Sequence, residues 1–263
     1  MDIFQAAVLG IVQGLTEFIP VSSSGHLVIV HQFFGRATTD LSVDAILQLA
    51  TTLAVLVYFR RELWKIFVNF FRLLTGRNVE EEEKTLVWAI ILGTLPAFFL
   101  GLLLEDKMET VFRATSLVAI ALIVGSLLMY FAEKYKKENK KISLGSGFAI
   151  GLFQALSLIP GISRSGSTIS GGLLMGLTRI DATLFSFLLS FPILVGSGFK
   201  KFIDLSIGGE IIQLGFPLLI AFIFSFIFGF LSIGFLIKFL KNHSLKIFIW
   251  YRLIIAAIIF FLL

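Results

Sequence analysis

Residues 151–176 read GLFQALSLIPGISRSGSTISGGLLMG. The polar side chains of this otherwise apolar stretch are Gln154, Ser157, Ser163, Arg164, Ser165, Ser167, Thr168 and Ser170. Pro160 and Gly161 end any helix that enters the stretch, so we predict a helix, a broken turn and a second helix. Backbone N–H groups at the start of the second helix can then converge with the hydroxyls and the guanidinium on one anion, most naturally a phosphate.

The composition places this stretch in a membrane protein. The 263 residues are 57% hydrophobic and 15% charged, with 30 Phe, and the mean hydropathy is +0.96. Apolar runs at 86–104, 116–132, 215–237 and 247–263 approach or exceed the roughly 20 residues that span a ~30 Å hydrocarbon core. We therefore predict an all-α polytopic membrane protein. The absence of Cys excludes disulfides, thiolate chemistry and cysteine metal sites.

A second broken segment opens the chain. Residues 1–35 are apolar but are interrupted by PVSSSGH at 20–26. We expect one helix to end near Phe18 and another to begin near Gly25. The segment has no basic start and contains Gln13, Glu17 and Pro20, which is not typical of a cleaved signal peptide. We expect it to belong to the mature fold.

The rest of the chain alternates between apolar spans and charged loops. We expect spans at 45–59, 86–104, 116–132, 183–199, 215–237 and 247–263, with a loop from 200 to 210. In the loop 60–85, Phe67, Phe70 and Phe71 are interleaved with charges, which predicts an amphipathic helix on the membrane surface. If both broken segments re-enter the membrane without crossing it, the chain has six spans.

Basic residues predict the orientation. The loops 60–85, 134–141 and 238–246 carry fourteen Lys and Arg, whereas the opposite side carries five. Because cytoplasmic loops are enriched in Lys and Arg, we expect these three loops in the cytoplasm and both chain termini outside. The same distribution explains the net charge of +5, so we do not expect nucleic acid as a partner.

The two broken segments belong to an internal repeat. GIVQGL at 10–15 matches GLFQAL at 151–156, and each is followed by Pro and then by Ser-Gly at the same spacing. The halves, about 1–141 and 142–263, each hold one broken re-entrant hairpin and three spans. An odd number of spans gives the halves opposite orientations, so we predict a single integral membrane domain, 1–263, built as an inverted repeat. The tips of the two segments would then meet near the midplane.

An amide and a carboxylate share one face of the first helix. Gln13 and Glu17 are four residues apart, and their face must point inward because a carboxylate in lipid is costly. Glu17 has two candidate roles. It can form a structural ion pair with Arg164, or it can act in metal or proton chemistry. As a metal ligand it would bind Mg²⁺ or Ca²⁺ together with the amide oxygen of Gln13, with water and substrate phosphates as the other ligands.

A hydroxyl and an imidazole follow at the restart of the helix. Ser23 and His26 are three residues apart, so both can face one cavity with Glu17 nearby. They offer a nucleophile or water-activating group and a base. His31 has no polar neighbour in sequence and is expected at the membrane interface, and His243 lies in a basic loop and is not expected in a site.

Arg164 is the candidate phosphate clamp, because its planar guanidinium can hold a phosphate through two hydrogen bonds. Ser163, Ser165 and Thr168 can donate further hydrogen bonds, and Gly166 allows close approach of the backbone. This set predicts phosphoryl transfer, which depends mostly on positioning and charge stabilisation.

The two motifs resemble those of the undecaprenyl-diphosphatase family, the bacitracin-resistance membrane phosphatases. They stand here as QGLTE at 13–17 with PVSSSGH at 20–26, and as PGISRSGST at 160–168, and the similarity covers nearly the whole chain. The resemblance implies hydrolysis of the carrier lipid undecaprenyl diphosphate to the monophosphate in the bacterial cytoplasmic membrane, with a divalent cation. The positions it marks are Glu17, Ser23, His26, Ser163, Arg164 and Thr168. Gln13, where the family can have Glu, leaves one carboxylate fewer for the cation.

A function of a different class stays open at this point. Inverted repeats of broken helices also build secondary transporters, so a polyprenyl-phosphate flippase is the alternative. Lipid phosphatases of the phosphatidic-acid type are excluded, because Ser170 stands where their motif has His. The expected partners are the polyprenyl diphosphate lipid and the membrane, and a homodimer is the assembly that we consider.

Overall fold

Eleven α-helices form the described part of the chain. The computed structural model describes the backbone of residues 1–35, 41–109, 115–207 and 210–262, and their side chains except those of 41–42, 105–109, 204–206, 210–214 and 262. The helices are α1 (Ile3–Phe18), α2 (Ser23–Phe33), α3 (Leu41–Tyr58), α4 (Arg60–Leu74), α5 (Glu81–Glu109), α6 (Thr115–Tyr135), α7 (Leu144–Leu156), α8 (Arg164–Leu174), α9 (Arg179–Ile207), α10 (Glu210–Leu240) and α11 (Lys246–Leu262). These ranges contain no strand, which confirms the predicted all-α class.

Four helices are long and apolar enough to cross a membrane. They contain the segments Glu81–Leu104, Thr115–Tyr135, Arg179–Ile203 and Gly215–Leu240. A fifth span results if α3 and α4 are counted as one bent unit, and α11 covers 17 residues. The helices confirm a multi-span membrane protein, with four or five spans by length and composition among the described residues, and the sixth span stays a prediction.

Helix α9 is longer than its predicted span. It runs without interruption to Ile207, so Lys200 and Lys201 lie within the helix rather than in the predicted loop from 200 to 210. No Gly or Pro follows the two lysines before Gly208, and lysine itself favours a helix. The charge pair therefore did not mark a helix end.

Helix α4 is the amphipathic helix predicted within the loop 60–85. It leaves α3 at an angle of 82° and exposes Trp64, Phe67 and Phe71 at helical spacing. If α3 crosses the membrane, a helix at this angle would run roughly along the membrane plane with its apolar face available to lipid.

The outer surface of the spanning helices is apolar. On α5, Phe98, Phe99 and Leu103 are well exposed, while the interior of the bundle contains buried hydroxyl groups such as those of Ser186 and Ser190. An apolar exterior around a more polar interior is the arrangement that a lipid solvent favours.

Helices α1 and α7 pack in the same way on two different partners. Helix α1 contacts α10, and α7 contacts α5. A Cβ atom placed on Gly10 of α1 would lie 2.3 Å from the carbonyl oxygen of Ala221, and one placed on Gly151 of α7 would lie 2.3 Å from that of Gly93. Close backbone contact through small residues is how membrane helices pack without a hydrophobic driving force.

Both broken segments have the predicted form of helix, break and helix. Helix α1 ends at Phe18, as expected, and α2 begins at Ser23, two residues earlier than expected. Helix α7 ends at Leu156 and α8 begins at Arg164. Each break thus precedes a short helix that starts with a polar residue.

The same serine cap begins α2 and α8. Ser22 has φ 75° and ψ 101°, and Ser163 has φ 74° and ψ 116°. Each hydroxyl accepts a hydrogen bond from the N–H group three residues on, at Gly25 and Gly166 respectively. A positive φ is uncommon outside glycine, and such strain persists where the surrounding structure fixes it, often at functional sites.

Candidate active site

The carboxylate of Glu17 lies at the centre of the polar residues. It is in the last turn of α1 and is 7% exposed. Its Oε1 accepts a hydrogen bond from Nη2 of Arg164 at 2.9 Å. Its Oε2 accepts from the Ser23 hydroxyl at 2.8 Å and from Nε2 of Gln13 at 3.0 Å. Residues of α1, α2 and α8 thus meet on one buried carboxylate.

Arg164 has a hydrogen-bond donor that no described residue uses. While Nη2 binds Glu17, Nη1 is buried and has no hydrogen-bond partner among the described residues. The guanidinium carbon also lies 6.0 Å from the centre of the Phe18 ring, a distance typical of a cation–π contact. The ion pair considered from the sequence is therefore present, and it leaves half of the guanidinium fork available for an anion.

The first residues of helices α2 and α8 both contact Glu17. Ser23 is the first residue of α2 and Arg164 is the first of α8, and both bind the carboxylate. First-turn N–H groups lack partners within the helix and carry partial positive charge. The N-termini of two helices, a guanidinium and a hydroxyl are therefore brought together at one carboxylate.

The two breaks touch each other directly. The hydroxyl of Ser24 accepts a hydrogen bond from the N–H group of Gly161 at 3.1 Å, across 137 positions in sequence. Ser24 is also hydrogen-bonded to Ser22 at 3.1 Å. The expectation that these segments come together is met at this bond and at the Glu17–Arg164 pair.

The remaining residues of the predicted phosphate site hold the start of α8. The Ser163 hydroxyl accepts from the N–H group of Gly166 at 3.2 Å and lies 3.3 Å from that of Ser165. The Thr168 hydroxyl donates to the carbonyl of Arg164 at 2.7 Å and is 2.5 Å from the Ser186 hydroxyl. These side chains are buried, so in this structure they fix the backbone of the site, and Arg164 is the member with a free donor.

His26 is close to Ser23 in sequence but has other partners. Its Nδ1 lies 2.7 Å from the carbonyl oxygen of Ser22, and its Nε2 lies 2.8 Å from the Tyr251 hydroxyl. The Ser23 hydroxyl instead donates to Glu17. The base nearest to the predicted nucleophile is therefore the carboxylate and not the imidazole. Tyr251 was missed from the sequence, where it lies in the last apolar run without any spacing that links it to the motifs.

Arg252 is a second residue that the sequence analysis missed. It is fully buried and donates to the Ser126 hydroxyl at 3.1 Å and to the carbonyl of Leu122 at 3.1 Å. It also donates to the carbonyls of Gly161 and Ile162 at 2.9 and 3.0 Å. These last two bonds hold the turn just before Ser163. A charge inside an apolar run was the available signal, since such a group needs polar partners at membrane depth.

The expectation for His31 was wrong. The residue is 1% exposed, and its Nε2 lies 3.1 Å from a carboxylate oxygen of Asp44 on α3. Its polar partner is 13 positions away in sequence, on the next helix. His243 is exposed and stacks on Phe239 at the far end of α10, outside the site as expected.

The oxygen atoms near Glu17 suit a cation held mainly by its substrate. The described residues contain no group of three or more His, Asp or Glu side chains that could hold a metal ion by themselves. Glu17 is the single carboxylate, and Gln13 adds one amide oxygen. Mg²⁺ and Ca²⁺ commonly combine one or two protein oxygens with phosphates and water, so the residues present fit a cation that arrives with a diphosphate.

Comparison with known proteins identifies the family. The family described as "Bacitracin resistance protein BacA" matches residues 6–258. The undecaprenyl-diphosphatase of Pelotomaculum thermopropionicum is 40% identical over 257 residues, which cover 97% of this chain and 94% of that protein. Those of Paenarthrobacter aurescens and Geotalea daltonii are 40% and 41% identical, with 100% and 98% of this chain and 98% and 97% of theirs covered. The chain belongs to the BacA family of bacitracin resistance proteins.

Proposed function

We propose that the chain hydrolyses undecaprenyl diphosphate to undecaprenyl phosphate and inorganic phosphate, which recycles the carrier lipid of cell-wall synthesis. Relatives at about 40% identity over nearly the whole chain are named for this activity. The observation that carries the proposal is that a serine hydroxyl and an arginine, each at a helix N-terminus, bind one buried carboxylate. This arrangement can bind an anion and activate a nucleophile beside it.

The terminal phosphate binds at the start of α8. Nη1 of Arg164 is buried without a partner among the described residues, and it donates to a phosphate oxygen together with first-turn N–H groups of α2 and α8. Ser163, Ser165 and Thr168 keep these donors in place through their own hydrogen bonds. The polyprenyl tail stays in lipid against the apolar outer surface of the helices.

Ser23 is the nucleophile and Glu17 its base. The hydroxyl passes its proton to the carboxylate oxygen that it already binds, while Oγ attacks the terminal phosphorus. A bond forms between Oγ and phosphorus, and the bond between that phosphorus and the bridging oxygen breaks. Undecaprenyl phosphate leaves with the bridging oxygen, and phosphoserine remains.

His26 serves the second, hydrolytic step. A water molecule attacks the phosphoserine and loses one proton, which Nε2 of His26 takes up, while Oγ leaves with the proton held on Glu17. Inorganic phosphate departs, and His26 then loses its proton to solvent. We assign Glu17 to the first step and His26 to the second because Ser23 is hydrogen-bonded to Glu17, whereas the accepting nitrogen of His26 is hydrogen-bonded to Tyr251.

A divalent cation, Mg²⁺ or Ca²⁺, completes the proposal. The carboxylate of Glu17 and the amide oxygen of Gln13 would hold it on the protein side, and the diphosphate would supply further oxygens. When bound, it neutralises the charge that develops on the phosphate oxygens.

The architecture that accompanies this chemistry is an inverted repeat in the bacterial cytoplasmic membrane. The matched caps of α2 and α8 and the matched close contacts of α1 and α7 support two re-entrant hairpins that enter from opposite faces. The excess of Lys and Arg in the loops 60–85, 134–141 and 238–246 supports a cytoplasmic position for them and an outside position for both termini. A homodimer stays a prediction.

Phosphate release from undecaprenyl diphosphate by the purified protein in detergent tests the function. We expect turnover that a chelator abolishes and added Mg²⁺ or Ca²⁺ restores. A flippase without phosphatase activity would release no phosphate, and that result would overturn the proposal. Full activity in the presence of chelator would reject the cation but leave the proposed phosphatase activity in place.

The nucleophile is tested by trapping the intermediate with substrate labelled in its terminal phosphate. We expect label on Ser23 and none in Ser23→Ala, which should also lose turnover. Ser197→Ala is the matched control, since that membrane hydroxyl bonds the Leu194 carbonyl. Label on His26, or full turnover in Ser23→Ala, would contradict the assignment.

A further inference from the structure

The catalytic histidine is held by a tyrosine from the last helix. The Tyr251 hydroxyl lies 2.8 Å from Nε2 of His26, across 225 positions in sequence. The two rings also stack, with their planes 7° apart and their centres 5.5 Å apart. One side chain of α11 therefore fixes both the plane of the imidazole and the surroundings of one of its nitrogens.

The backbone determines which nitrogen of His26 carries the proton. Nδ1 lies 2.7 Å from the carbonyl oxygen of Ser22. A carbonyl can only accept, so Nδ1 donates, and in the neutral imidazole Nε2 carries the lone pair. The Tyr251 hydroxyl is then the donor to Nε2. Ser22, the strained cap of α2, and Tyr251 thus select one tautomer from opposite edges of the ring.

The tyrosine also connects a buried base to its surroundings. His26 is 9% exposed, whereas Tyr251 is 41% exposed. A hydroxyl can donate one hydrogen bond while it accepts another. The Tyr251 hydroxyl can therefore donate to Nε2 while it accepts a hydrogen bond from a water molecule.

We propose that Tyr251 positions His26 for catalysis and relays protons to and from its Nε2. As water attacks the phosphoserine, it gives a proton to the Tyr251 oxygen, and the hydroxyl proton moves to Nε2, so the tyrosine is unchanged. The reverse transfer returns His26 to its neutral form. This role rests on the proposed function, in which His26 is the base of the hydrolytic step.

Tyr251→Phe tests the proposal because it keeps the stacked ring and removes only the hydroxyl. General acid–base catalysis contributes about 10²–10⁴-fold. Because the variant keeps His26 and loses only the hydroxyl that serves it, we expect a smaller fall in kcat, of about tenfold to a hundredfold. The KM should stay within about twofold, because the tyrosine contacts the base and not the phosphate-binding groups. Tyr130→Phe is the control, since Tyr130 is an exposed tyrosine on α6 and should leave kcat unchanged.

Nitrogen NMR of the ¹⁵N-histidine-labelled protein provides a readout that does not depend on activity. The chain has 3 His, so His26 can be assigned with His31→Gln and His243→Gln. In the wild type we expect a protonated Nδ1 and a hydrogen-bonded Nε2, and in Tyr251→Phe the Nε2 resonance should move toward that of a free lone pair. An unchanged resonance or an unchanged kcat would overturn the proposal. A wild type without phosphatase activity but with the expected resonances would reject the function and leave the contact established.

Discussion

At the residue scale, the site is built from opposite charges that neutralise each other before substrate arrives. Glu17 and Arg164 are both largely buried and lie 2.9 Å apart. Burying two charges costs free energy that their attraction alone does not reliably offset. A structural ion pair would gain most with every donor satisfied, yet Nη1 of Arg164 has no partner among the described residues. The free Nη1 therefore favours a site in which Arg164 binds a second anion besides Glu17.

Arg164→Lys should show that the shape of the guanidinium matters beyond its charge. Lysine can reach Glu17 or a phosphate, but it lacks the planar fork that serves both. We expect kcat/KM for undecaprenyl diphosphate to fall by about a hundredfold or more, the loss typical of one preorganised donor. Arg77→Lys, at an exposed position, is the control. Wild-type kcat/KM in Arg164→Lys would rule out the clamp.

Glu17→Gln separates the base from the shape of its side chain. The amide keeps the size of the carboxylate but cannot take a proton from Ser23 or neutralise Arg164. We expect phosphoserine formation to be lost. Rapid-quench trapping with labelled substrate measures this. Asp2→Asn, which alters the exposed cap of α1, should form phosphoserine at the wild-type rate. Normal trapping in Glu17→Gln would assign the base elsewhere.

At the scale of helices, α11 holds both halves of the site. Tyr251 binds His26 of α2, and the next residue, Arg252, binds the carbonyls that precede α8. Helix α11 itself packs on α6. A helix that carries no motif residue thus contacts His26 on one side and the turn before Ser163 on the other.

Arg252→Met should weaken this support while keeping an apolar side chain of similar length. The substitution leaves the carbonyls of Gly161 and Ile162 without their donor, and each buried group left unpaired costs about 1–3 kcal/mol. We expect a lower Tm in detergent and a loss of kcat, because the turn before Ser163 is no longer fixed. Arg61→Met, at an exposed position of α4, is the control. An unchanged Tm and kcat would show that the four bonds of Arg252 are dispensable.

Gly151→Ala tests the close contact between α7 and α5. The added methyl would meet the carbonyl oxygen of Gly93 at 2.3 Å, and overpacking of this kind costs about 1–3 kcal/mol. We expect a lower Tm. Gly145→Ala on the same helix meets no atom within 4 Å and should leave Tm unchanged or raise it, since alanine favours a helix. Equal Tm values for the two variants would refute the contact.

At the scale of the whole molecule, the orientation can be measured directly because the chain has no cysteine. Single cysteines at Lys137 and Asn242, both exposed, lie in loops that we expect in the cytoplasm. A cysteine at Gln32, also exposed, should lie on the opposite side. A membrane-impermeant maleimide added to intact cells should label Gln32→Cys, and should label the other two only after lysis. The reverse pattern would invert the proposed topology.

The sequence predicts those parts of the molecule that are local or repeated. Pro20 and Pro160 with their Ser-Gly pairs located both breaks, and the match between the two segments anticipated the meeting of Glu17 and Arg164. The positions on α11 could not be read in this way, because a tyrosine and an arginine in an apolar run carry no spacing that names their partners.

The partner of Ser23 shows a second limit. Helical spacing favours His26, but the start of α2 turns the serine back toward the end of α1, where its hydroxyl reaches Glu17. The imidazole of His26 turns instead to the carbonyl of its own cap residue, Ser22. The direction in which a side chain points at a helix end depends on the geometry of the cap, which helical periodicity does not describe.

The position of Tyr251 and Arg252 near the end of the chain has a consequence for biogenesis. Glu17 is synthesised 147 residues before its partner Arg164, and the turn before Ser163 must wait a further 90 residues for Arg252. A ribosome-bound nascent chain that lacks α11 therefore has Glu17, Ser23 and Arg164, but it lacks the contacts that Tyr251 and Arg252 make with His26 and with the turn before Ser163. If the proposed function holds, we therefore expect hydrolytic competence only after α11 has inserted into the membrane.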